Sequence, residues 1–80
     1  MEYSQDEMRL AQFFVEREGE GILAELREAD FIEQGYLDSL DLVTLAMFVE
    51  KEFNRKLDLT QPDIFERTRT FKSLMALVLG

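Results

Sequence analysis

The segment Gly35-Tyr36-Leu37-Asp38-Ser39-Leu40-Asp41 holds the residues best suited to carry chemistry in this sequence. It places one serine hydroxyl behind a glycine turn, beside two carboxylates and at the head of an apolar stretch. Asp38 is a good helix N-cap, and Asp41 three residues on favours the positive end of the helix that follows. A helix start offers unpaired N–H groups, so a phosphate ester on Ser39 is expected to be held there. Nucleophilic catalysis by Ser39 is not expected: the sequence has no His to take the proton, and Asp is too weak a base there. The absence of both Cys and His also excludes thiolate catalysis, imidazole acid–base chemistry and Cys/His zinc sites. No catalytic residue is assigned, and the chain is read as a non-enzyme.

One metal template fits in part. Asp30, Gly35 and Asp41 fall at positions one, six and twelve of a calcium loop. Ile32 at the third position has no side-chain oxygen, Gln34 at the fifth is neutral, and the loop lacks a closing Glu. No metal site is expected.

The elements that must position Ser39 follow from caps and periodicity. Ser4-Gln5-Asp6-Glu7 has capping-box form and opens a helix at about 4–18, with Met8, Ala11, Phe14 and Val15 on its apolar face. Gly19 and Gly21 end it. Residues 22–37 form a long ordered first loop, in which Ile22, Leu23 and Leu26 suit a short helical turn. Phe31, Ile32 and Leu37 are its anchors on the core, and Gly35-Tyr36 marks a turn. A second helix over 39–54 contains no Gly or Pro and carries two apolar stripes. Leu42, Leu45, Val49 and Phe53 lie on one; Leu40, Val43 and Met47 lie well round the helix on the other. Either helices pack against both stripes or one stripe faces something outside the fold. After a loop over 54–61, Pro62 suits the first position of a short third helix at about 62–67. Thr70 caps a last helix, buried through Phe71, Leu74, Met75, Leu77 and Val78 and ending at Gly80.

With its elements placed, the sequence resembles the acyl carrier protein family over nearly its whole length. Asp38-Ser39-Leu40 matches the family's Asp-Ser-Leu motif, within Gly35-x-Leu37-Asp38-Ser39-Leu40, and Glu50-x-Glu52-Phe53 closes the helix. The resemblance implies an all-α four-helix bundle of acyl-carrier type, with a short third helix and a long first loop, as one domain over 1–80. It implies that Ser39 receives 4′-phosphopantetheine from coenzyme A through a phosphopantetheinyl transferase. The arm's thiol would then carry acyl groups as thioesters between acyl-loading and acyl-processing enzymes with basic docking surfaces. Asp38, Leu40, Asp41, Val43, Met47 and Glu50 match partner-facing positions, although capping also explains Asp38 and Asp41, and a solvated face also explains Glu50. Thr44 and Lys51 stand where the fatty-acid carriers usually have acidic residues, and Gly35-Tyr36-Leu37-Asp38 is closer to stand-alone carriers of specialised pathways. An aminoacyl or peptidyl carrier is the near alternative. An unmodified acidic helical interaction module is the alternative from another class.

Charge supports basic partners. Nine basic and seventeen acidic residues give a net charge of −8 over 80 residues, which argues against nucleic acid as a partner. Residues 1–40 hold eleven acids against three bases and residues 41–80 six of each, so the whole excess lies in the first half. No apolar run reaches the roughly 18 residues of a membrane span. The acidic, polar opening residues are unlike a signal peptide. A cytoplasmic monomer is expected.

Overall fold

Ser4 opens the first helix through the predicted capping box. In the computed structural model, which describes residues 3–79, α1 runs Gln5–Glu18. Ser4 Oγ accepts the Glu7 N–H at 3.1 Å, and Glu7 Oε1 accepts the Ser4 N–H at 2.8 Å. Two donors that a helix start leaves unpaired are thereby satisfied. Gly19 ends the helix at φ 92°, a conformation that side chains with a Cβ rarely adopt.

The chain then makes a 3-10 turn, Glu20–Ala24, and a long loop. Ile22, Leu26, Ala29, Phe31 and Leu37 are buried along this connection, and Ile32 is half-buried. The backbone ties the loop down: the Phe31 N–H donates to the Arg69 carbonyl at 2.7 Å, and the Leu37 N–H to the Phe31 carbonyl at 2.9 Å. Gly35, at φ 81°, turns the chain between these two anchors.

α2 runs Ser39–Phe53 and lies antiparallel to α1. Arg17 in the last turn of α1 pairs with Asp41 in the first turn of α2, and Arg9 reaches Glu52 at the other end. Leu42, Leu45 and Val49 are buried, while Phe53 is half-buried beneath the Arg9 guanidinium, 4.6 Å from the ring centroid. Asn54, in the left-handed region at φ 56°, stops the helix one residue earlier than the sequence predicts.

The buried face of α1 is broader than the predicted Met8, Ala11, Phe14 and Val15. Leu10, Ala11, Phe13 and Phe14 are buried, with Met8 and Val15 half-buried at the edges. The cause is that α1 has neighbours on two sides. Phe13 packs on Phe48 of α2 (5.4 Å between centroids), and Phe14 stacks on Phe31 of the loop (4.4 Å).

α3 is a single turn, Ile64–Arg67, and does not begin at Pro62. The Ile64 N–H donates to the Gln61 carbonyl at 3.2 Å, which makes Pro62 the second residue of a turn instead. Its fixed φ suits that position as well as a helix start. α4 runs Phe71–Leu79; Gly80 lies outside the described residues. Thr70 caps α4, its Oγ1 accepting the Ser73 N–H at 3.2 Å. Phe71, Leu74 and Val78 are buried, and Met75 and Leu77 are half-buried. Among the described residues the fold is all-helical, with four α-helices around one apolar cluster. None of these helices is long and apolar enough to cross a membrane.

The two stripes of α2 should respond oppositely to truncation. Leu45→Ala removes a fully buried side chain and should cost about 2–5 kcal/mol in urea unfolding. Met47→Ala, on the exposed stripe, should stay within about 0.5 kcal/mol. Equal losses would show that the helix is rotated from the position described.

Candidate functional site

Ser39 is the first residue of α2 and is exposed, and its hydroxyl makes no hydrogen bond among the described residues. Its position is set from both sides. Leu37, two residues before it, is buried, and Asp38 begins the helix. The Tyr36 hydroxyl donates to the Glu25 carboxylate, which fastens the turn to the loop and raises the phenol pKa.

Asp38 and Asp41 form a second complete capping box. Asp38 Oδ1 accepts the Leu40 N–H at 3.0 Å and the Asp41 N–H at 2.9 Å. Asp41 Oδ2 accepts the Asp38 N–H at 3.0 Å. The Asp41 N–H holds the Asp38 carboxyl below the usual carboxylate range, and the Asp41 side chain, the Leu40 N–H and Arg17 add to the effect. This geometry corrects the expected phosphate cradle. The amides that would have received an anion already receive Asp38, and a phosphate on Ser39 would have two carboxylates as neighbours. The Leu40 and Asp41 amides of this helix start are therefore closed by Asp38 and not open to an outside anion.

The second apolar stripe is uncovered. Leu40, Val43 and Met47 are 78%, 49% and 67% exposed, and they run down α2 directly from Ser39. Thr44, Glu50 and Lys51 are exposed on the same helix. Asp38, Leu40, Val43, Met47 and Glu50 are thus all accessible, whereas Asp41 is held by Arg17 and its side chain is only 19% exposed. Sequence reasoning missed Arg17. A base in the last turn of a helix reads as a partner for the dipole, and nothing local points to an acid 24 residues away.

A cavity of about 540 Å³ lies elsewhere. It lies between the start of α1 and α4, lined by Ser4, Glu7, Arg27, Phe71, Met75 and Leu79 among others, and no α2 residue contributes. Asp30, the first position of the calcium template, has its carboxylate committed within the fold. One oxygen accepts the Glu33 N–H at 2.9 Å, and the other lies 2.7 Å from Arg69 Nε. Comparison with protein-family models, curated proteins and solved structures gave no match.

The capping carboxylates give a pH dependence. Glu7, Asp38 and Asp58 are all held below their ordinary range by hydrogen bonds at turn and helix starts. In the unfolded chain they titrate near 3.9–4.3, so their contribution is complete above about pH 4.3 and is lost as pH falls through the lower folded values. Asp38→Asn keeps the cap geometry and removes the charge. Its urea midpoint should lie below the parent's at pH 7, with the gap closing as the pH falls below 4. A gap that persists unchanged into acid would contradict this electrostatic account.

Proposed function

We propose that this protein is a discrete acyl carrier, modified on Ser39 with 4′-phosphopantetheine and serving a specialised pathway. The observation that carries the reading is the exposed Ser39 at the head of an uncovered apolar stripe formed by Leu40, Val43 and Met47. A carrier needs both features on one face: a reachable hydroxyl for the arm, and an apolar strip on which successive enzymes dock briefly. The fit to the arm is good. No side chain is hydrogen-bonded to the Ser39 hydroxyl among the described residues, and the site opens to solvent.

The attachment chemistry falls to the transferase. The Ser39 oxygen forms a bond to the phosphorus that bears the pantetheine half of coenzyme A, and the bond from that phosphorus to the nucleotide half breaks. The hydroxyl proton passes to a base of the transferase. Asp38 does not serve, because its carboxylate accepts two N–H groups and its lowered pKa makes it a weak base. Once attached, the arm supplies a thiol that carries acyl groups as thioesters. The chain itself holds the arm, presents it and docks to enzymes with basic surfaces; it does not catalyse. Aminoacyl cargo would use the same serine and differ in its loading enzyme.

Intact mass spectrometry tests the modification. After incubation with coenzyme A and a broad-specificity phosphopantetheinyl transferase, the parent should gain one phosphopantetheine and Ser39→Ala none. The helical circular dichroism of Ser39→Ala should match the parent, because the hydroxyl is exposed. An unmodified parent would leave the protein as an acidic interaction module.

The specialised role has its own test. Thr44 and Lys51 flank Met47 on the exposed side of α2, so a housekeeping ketosynthase with a basic docking surface meets a neutral and a cationic residue there. The modified parent should be a poor substrate, and Thr44→Glu with Lys51→Glu should improve elongation about two- to five-fold, as exposed ion pairs do. A parent that already performs as well as a fatty-acid carrier would return it to a housekeeping role.

A further inference from the structure

The ends of the two longest helices meet beside Ser39, and the charges there are unequally available. Four carboxylate oxygens belong to the start of α2. Asp38 Oδ1 holds the Leu40 and Asp41 N–H groups, Asp41 Oδ2 holds the Asp38 N–H, and Asp41 Oδ1 takes the Arg17 guanidinium. Asp38 Oδ2 alone carries no hydrogen bond among the described residues. The Arg17 guanidinium also lies over the Phe13 ring, 5.2 Å from its centroid, within the range of a cation–π contact. Its side chain is 34% exposed and that of Asp41 only 19%, so salt screens this pair less than an open surface pair.

The first half of the chain has three bases, and the other two work at the far end of α1. Arg9 pairs with Asp6 and Glu52, and Arg27 pairs with Glu7 and lies over Tyr3. Of these three bases, Arg17 alone lies at the Ser39 end of α1, and it sits on one of the two carboxylates nearest the serine.

We propose that Arg17 is a specificity-determining residue of this docking face, screening Asp41 so that a basic enzyme reaching Ser39 reads the helix start chiefly through Asp38. The proposal rests on the carrier reading above. An approaching arginine or lysine finds at Asp41 a like charge already in contact, and it must displace Arg17 or go without that pair. Partners that place their cation against Asp38 meet an oxygen with no hydrogen bond among the described residues and only the longer-range charge of Arg17, whereas partners that need both acids are disfavoured. Arg17 also joins the C-terminal end of α1 to the N-terminal end of α2 with favourable charge for both dipoles, so a structural contribution must be separated from the screening one.

Steady-state phosphopantetheine transfer from coenzyme A, by a transferase with a basic docking surface, separates them. Arg17→Gln should lower KM for the carrier about two- to five-fold at low ionic strength, with kcat unchanged, because only docking is altered. Arg17→Lys should return KM towards the parent value. Asp41→Asn should cost less than Asp38→Asn in the parent, and in the Arg17→Gln background it should remove the gain. Raising the salt to about 0.5 M should close the gap between parent and Arg17→Gln. Arg55→Gln changes net charge equally, at the end of α2 away from Ser39, where Arg55 donates to the Leu79 carbonyl. It should leave KM in place.

A KM that is unchanged or raised in folded Arg17→Gln overturns the proposal, as does a gain equalled by Arg55→Gln. If Arg17→Gln fails to fold, Asp41→Asn decides: a KM penalty as large as that of Asp38→Asn means that Asp41 is read directly. No transfer to any version ends the carrier reading and this proposal with it, and transfer to the parent with no effect of Arg17→Gln ends the proposal alone.

Discussion

The fold depends on Phe31. A chain of 80 residues buries only about 60% of its unfolded surface, and this one must also order a long connection between its first two helices. Phe31 does so from the middle of that connection. Its ring stacks on Phe14 of α1, its N–H reaches the Arg69 carbonyl before α4, and its carbonyl receives the Leu37 N–H just ahead of Ser39. One buried residue thereby links α1, the approach to α4 and the approach to α2. The serine is held in place by this loop anchorage as much as by the helix it begins.

The same local device starts both long helices, with different consequences. At Ser4 a hydroxyl and a glutamate exchange hydrogen bonds with the backbone; at Asp38 two carboxylates do so. The second version places two negative charges where a helix start would otherwise attract an anion. A helix start closed by its own acids suits an arm that must swing clear, because an anion gripped by the amides would be pinned. On the proposed carrier reading, the carboxylates that fix the helix frame are also those a basic enzyme would meet.

The Ser4 capping box, the Asp38 cap, the glycine stop after α1 and the inner stripe of α2 were legible because each is a pattern within a few residues. Part of what sequence reasoning missed depends on neighbours distant along the chain. Phe13 is absent from the predicted α1 face, and it is Phe48, 35 residues on, that covers it. Pro62 fits a helix start and a turn equally, and the Gln61–Ile64 hydrogen bond decided for the turn. Asp41 reads as a cap from spacing alone, and its Arg17 partner appears only once α1 and α2 pack antiparallel. The cradle expected at Ser39 failed for a related reason: the acids that announce a helix start also occupy it.

The outer stripe of α2 is where fold and proposed function meet. Leu40, Val43 and Met47 expose apolar surface that a chain with so small a core does not recruit, although they share a helix with its most buried residues. Three side chains make a patch far smaller than the roughly 800 Å² per partner of a stable interface. Such a patch supports encounters that form and dissolve, not a permanent complex. A protein handing cargo between enzymes needs that weakness, since each partner must release it before the next can dock. Electrostatics then supplies what area does not: charge at the helix start raises the rate of encounter and selects among partners, while the apolar strip gives a modest hold once contact is made. On this view Arg17 adjusts selectivity without enlarging the patch, which keeps every partner exchangeable.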